Sequence, residues 1–97
     1  MTGCIIHDDA KADLLDIWNY ISRRSPTDAD EQLDRLYADF DTIVANPDIG
    51  RERDVLMHGL RCLIVGRHLI FYLTERDKIQ IKRVLSGARD LSKIVFE

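Results

Sequence analysis

Hydrophobic periodicity changes once along this chain, at Asn46-Pro47, and that change sets the fold class. Before it, apolar residues recur at helical spacing: Ala10, Leu14, Ile17, Trp18 and Ile21, then Ala29, Leu33, Leu36, Tyr37, Phe40, Ile43 and Val44. Steps of three and four put each set on one helical face. After it, residues 60–65, 68–74 and 79–85 are runs rich in β-branched and aromatic side chains, which suit strands. A helical front and a β-rich back predict an α+β fold.

Local chemistry marks the element ends. Cys4-Ile5-Ile6 reads as a short first strand. Asp8 or Asp9 is the candidate cap of a first helix running to about Ser22. Ser25-Pro26-Thr27-Asp28 restarts a helix, with serine as N-cap, proline at the first helical position and an acid where a capping box has one. Asn46-Pro47 stops it, because the residue before proline is pushed out of the helical region. With only residues 23–26 between them, the helices should form an antiparallel hairpin. Residues 48–59 read as a polar connection. Gly66-Arg67 suits a type II′ turn and Glu75-Arg76-Asp77-Lys78 a polar turn, so the three strands form an antiparallel meander. The expected fold is thus an N-terminal strand and an antiparallel helical hairpin packed on a small antiparallel β-sheet. No repeat or linker interrupts it, so residues 1–97 are expected to form one domain. The sheet face away from the helices is also apolar. It needs cover from a partner or from the tail, residues 90–97, whose Leu91, Ile94, Val95 and Phe96 suit a short helix or an added strand.

Composition narrows the chemistry. Apolar residues make up 45% of the chain, enough for one compact core. The net charge of −3 argues against non-specific nucleic-acid binding, which needs a strong basic field, so no direct nucleic-acid contact is expected. The longest apolar run, residues 60–73, is broken by Arg61, Gly66, Arg67 and His68 and does not suit a membrane. No basic stretch followed by an apolar run opens the chain, so a cytoplasmic location is expected. Cys4 and Cys62 lack metal-type spacing and read as small buried hydrophobes, with a disulfide open only if their strands are neighbours. His7, His58 and His68 show no ligand spacing, and neither metal nor cofactor is expected. Asp9, Asp13 and Asp16 share one side of the first helix and read as a solvated face, as do Asp30, Asp34 and Asp41 on the second. No catalytic set can be assigned from position.

A basic set lies in the sheet half: Arg61, Arg67, Lys82, Arg83 and Arg89. Strand period two places Arg61 with Leu63 and Val65, and Arg83 with Ile79, Ile81 and Leu85. An arginine on an apolar strand face either pairs with an acid, such as Asp90 or Glu52, or reaches a partner. The turn Ser86-Gly87-Ala88-Arg89-Asp90 would present Arg89 at the end of the sheet.

Taken together, several motifs resemble the ParE branch of the RelE/ParE toxin superfamily. They are Ala12-Asp13-Leu14, Ile17-Trp18-Asn19-Tyr20, Asn46-Pro47-Asp48-Ile49-Gly50-Arg51, Gly59-Leu60-Arg61, Gly66-Arg67-His68-Leu69-Ile70-Phe71-Tyr72 and Arg83-Val84-Leu85. The resemblance implies the toxin of a type II toxin–antitoxin system, neutralised by a ParD-like antitoxin. For the ParE branch it implies inhibition of DNA gyrase by protein–protein binding. For the RelE branch it implies ribosome-dependent mRNA cleavage, which needs an acid–base residue near the C-terminus. Residues 91–97 hold no Tyr or His, so a ribonuclease would have to use His68 or Tyr72. Ser86 stands where many ParE relatives carry histidine. On this reading the target is expected to meet Arg61, Arg83, Arg89, Ile94 and Phe96, and the antitoxin Trp18, Tyr37 and Tyr72.

Overall fold

A computed structural model describes residues 3–86 of the chain. The element order is β1 (Cys4–Ile6), α1 (Asp8–Ser22), α2 (Pro26–Ala45), β2 (Arg51–Glu52), β3 (Arg61–Val65), β4 (His68–Glu75) and β5 (Lys78–Ser86). The expected α+β architecture holds: a helical hairpin lies on one face of a sheet ordered β1-β5-β4-β3-β2. The predicted tail element lies outside the described residues.

The helix ends follow the local chemistry with one correction. Ser25 caps α2 as expected, its side chain accepting the Asp28 N–H at 3.2 Å, with Pro26 in the first turn. The cap of α1 is His7, which makes no side-chain capping bond; Asp8 and Asp9 lie inside the first turn. There the two carboxylates still face the positive end of the helix dipole.

The sheet departs from expectation in two strands. β1 pairs parallel to β5, Cys4 opposite Ile79 and Ile6 opposite Ile81, so the sheet is mixed. Two added contacts hold that edge: His7 N–H donates to Ile81 O, and His7 Nε2 lies 2.6 Å from Gln80 Oε1. The polar connection also holds a two-residue strand, β2, antiparallel to β3. Cys4 on β1 and Cys62 on β3 are separated by two intervening strands, and both are free thiols. Both hairpin turns use positive φ. At the first, Gly66 sits at 58° while Arg67 stays negative, as a type II′ turn requires; at the second, Arg76 and Asp77 both take positive values.

One irregularity sets the faces of β5. Phe71 opposes Arg83 while Tyr72 opposes Ile81, so Lys82 is the extra residue of a β-bulge. The bulge resets the alternation: Ile79, Ile81 and Val84 face the helices, whereas Leu85 faces the other way. The simple period-two reading, which grouped Arg83 and Leu85 with Ile81, fails here.

The main core joins Ala10 and Leu14 of α1, Leu36, Phe40 and Ile43 of α2, and Ile70, Tyr72, Ile79, Ile81 and Val84 of the sheet. Burying each large side chain of this set contributes about 1.5–3 kcal/mol. Leu60, Cys62, Phe71 and Leu85 form a second cluster on the opposite face, with Leu56 and Met57 packed against it. The loop before β3 therefore supplies part of the cover that this face was expected to need.

Candidate functional site

A concavity with a volume of about 780 Å³ lies between the helical hairpin and the β3–β4 turn. Ile17 and Ile21 of α1 with Val65 and Val84 of the sheet give it an apolar floor. Tyr20 stands at its edge, 70% exposed. Its polar lining carries both signs: Asp16, Asp39, Arg35 and Arg67. Among the described residues none of these four forms an ion pair. Partial burial raises the Asp39 carboxyl above its usual range and holds the His68 imidazole, also in the lining, below its own. At neutral pH His68 is therefore an uncharged ring.

Beside this groove Asp13 ties α1 to the bulge in β5. Its carboxylate accepts from Arg83 Nε at 2.7 Å, Arg83 Nη2 at 2.8 Å and the Val84 backbone N–H at 2.9 Å. The Asp13 side chain is 6% exposed and that of Arg83 17%. Bidentate pairing with Asp13 is the main cause of a rise in the already high pKa of Arg83. This overturns the solvated-face reading of Asp13, and it occupies the guanidinium expected to meet a target. Helical geometry carried the signal. At about 100° per residue, Asp13 falls roughly 60° from Ala10 and 40° from Ile17, inside the apolar arc.

Tyr72, expected to contact an antitoxin, is fully buried and has no surface to offer. Its hydroxyl accepts the Gly50 N–H at 2.8 Å and donates to Pro47 O at 2.8 Å, pinning the chain between α2 and β2. Burial is the first cause of its raised pKa, so it is a neutral phenol at physiological pH. Gly50 is tightly placed, since a Cβ there would lie 2.7 Å from the hydroxyl oxygen.

Arg61 pairs with Glu52 at 3.4 Å, as one sequence reading anticipated, and with Asp48 at 3.5 Å. It also donates to Gly50 O at 2.7 Å. Its side chain remains 25% exposed. The Trp18 indole N–H donates to Asp30 Oδ1 at 2.8 Å, linking the two helices. Tyr37 is 45% exposed and meets Phe40 edge-on, with ring centroids 5.6 Å apart. Neither Trp18 nor Tyr37 lines the groove, whereas Tyr20, which the sequence reading named within a family motif but gave no contact role, does. Arg89, Ile94 and Phe96 lie outside the described residues.

Residues 4–91 match the family described as the ParE toxin of the type II toxin–antitoxin system parDE. The chain belongs to the ParE toxin family. A curated relative, Toxin ParE1 of Caulobacter vibrioides, is 35% identical over 77 residues, covering 78% of this chain and 79% of the relative. Among solved structures, one titled "Chromosomal ParDE TA system from P. aeruginosa" aligns with a TM-score of 0.75 at 23% identity. That alignment covers 89% of this chain and 96% of the other, and at this identity it speaks to the ParE fold alone. No helix among the described residues of this ParE family member is long and apolar enough to cross a membrane.

Proposed function

We propose that this ParE-type toxin acts by binding DNA gyrase and is held inactive by a ParD-like antitoxin. The observation that carries the reading is the groove between the helical hairpin and the β3–β4 turn. It combines an apolar floor with charges of both signs that form no ion pair among the described residues, a surface that an amphipathic helix from another protein can fill. Trp18 and Tyr37 would extend that contact along the helices. Arg61, Arg89, Ile94 and Phe96 would meet the target.

The geometry of the two residues considered for acid–base work favours binding over mRNA cleavage. The Tyr72 hydroxyl is committed to two backbone partners in the core. His68 lies four residues away, about 13 Å along the same strand at the strand rise, and Tyr72 is buried, so the pair does not offer one phosphodiester both an acid and a base.

Induction in cells tests the proposal. A gyrase poison should cause filamentation and the DNA-damage response while translation continues, and co-expression of the reading frame beside its gene should restore growth. Immediate arrest of translation would instead identify a ribosome-directed ribonuclease. Arg89→Glu should abolish toxicity and leave antitoxin binding intact.

A further inference from the structure

His68 stands where the core-bearing face of the sheet emerges from under the helices. Alternation along β4 puts it on the face of Ile70 and Tyr72, both in the core beneath the hairpin. It pairs with Val65 across the turn and with Ser86 of β5, and all three line the groove. The ring is therefore part of the sheet-side wall that an occupant of the groove lies against. It is partly buried, and no side-chain hydrogen bond or ion pair engages it among the described residues.

The titratable groups around the ring come from every element of the groove. α1 brings Asp13, Asp16 and the phenol of Tyr20; α2 brings Arg35 and Asp39; the turn brings Arg67. Asp13 is spent on Arg83. Asp16 and Asp39 are the carboxylates left to stabilise a charged imidazole, and neither offsets the lowering that burial imposes on it. Arg35 and Arg67 share the sign of a protonated ring and give it no counter-charge. An occupant shifts this balance further in the same direction. It removes water from the ring and fills the space between the sheet wall and the carboxylates of the helices. Both effects penalise the imidazolium far more than the neutral ring.

We propose that His68 makes occupation of the groove pH-dependent: an amphipathic helix of a partner protein seats against the neutral ring and is released when the ring takes up a proton. The proposal rests on the reading of the groove as a helix-docking site. The sign follows from linkage. The folded ring already titrates below 6.5, and a seated helix lowers its pKa again. Affinity is thus complete above pH 6.5 and falls as pH drops through the pKa of the free chain, by at most about tenfold per pH unit for a single proton.

The probe is a set of helical peptides selected from a displayed library on the immobilised full chain at neutral pH, keeping those whose binding Ile17→Glu abolishes. Their affinity should weaken by roughly tenfold between neutral pH and about pH 5, with circular dichroism verifying that the chain stays folded. His68→Gln should bind at neutral pH and lose most of that dependence, whereas Asp39→Asn should keep it. Two readouts need no variant. Calorimetry near pH 6, in buffers of different ionisation enthalpy, should report proton release on binding, and the His68 ring followed by NMR should titrate at lower pH with peptide than without. Proton uptake, an unmoved ring titration, or equal pH dependence in His68→Gln would overturn the proposal and leave the groove reading standing. Failure to recover any peptide sensitive to Ile17→Glu would overturn both.

Discussion

Replacing Asp13 with asparagine tests the tie between α1 and the β5 bulge. The carboxylate is 6% exposed and accepts three hydrogen bonds, two from Arg83 and one from the Val84 N–H. Asparagine has the same size and can still accept from one neighbour, but its amide donors then face the donors of Arg83. The guanidinium is left largely buried without a counter-charge. Breaking a buried pair by removing one partner costs about 3–5 kcal/mol, and the residual solvent access of Arg83 argues for the lower end, about 3 kcal/mol. Against a total of about 5–15 kcal/mol for a small domain, that is a large fraction. At roughly 4–8 °C per kcal/mol, the melting temperature should fall by about 12–24 °C. Urea unfolding followed by Trp18 fluorescence gives the stability loss. The decisive measurement is a double-mutant cycle with Arg83→Met. If the pair acts as a unit, the double variant recovers much of the loss and the coupling energy is about 2–3 kcal/mol. Coupling below about 0.5 kcal/mol would refute the assignment and restore Asp13 to the solvated face.

Gly50→Ala should destabilise by about 1–3 kcal/mol, because the new Cβ would lie 2.7 Å from the Tyr72 hydroxyl and 3.1 Å from the Cys62 carbonyl carbon; a denaturation midpoint equal to that of the parent would contradict this. Asp77→Gly should stabilise by about 0.5–1 kcal/mol, since Asp77 holds a φ of 63° that glycine adopts without strain; the thermal midpoint reports it. His68 carries a pH signature. Its folded pKa lies below the ordinary value of 6.5, so the unfolded chain takes up the proton first. Stability from this group is complete above pH 6.5 and declines as pH falls through the folded pKa. His68→Gln should flatten that decline in urea titrations from neutral to mildly acid pH, and an unchanged slope would assign it elsewhere.

Much of the fold was legible because its signals are local. The Ser25-Pro26 start of α2, the stop at Asn46-Pro47 and the glycine of the Gly66-Arg67 turn each act within a few residues, and each appears where the chemistry places it. Arg61 pairing with Glu52 was also readable, across a gap of nine residues. Apart from the α1 cap, which is His7 rather than Asp8 or Asp9, the side-chain readings that failed involve long separations. The Asp13–Arg83 pair spans 70 positions and the Tyr72–Pro47 bond spans 25. The groove is likewise a product of assembly, made by residues that share no sequence window.

By itself the amino-acid order determined which segments coil into helices, which extend, where the chain turns, and the superfamily it resembles. These outcomes rest on backbone preferences and on the spacing of apolar side chains, both set by near neighbours. Tertiary structure alone decided that β1 lies parallel beside β5, that a bulge at Lys82 resets the faces of β5, and that Tyr72 is sealed inside. It also decided which charges are spent internally and which remain for a partner. A charged side chain does not record its counter-ion in its neighbours; that depends on which distant carboxylate or guanidinium the packed helices and sheet bring within hydrogen-bond reach.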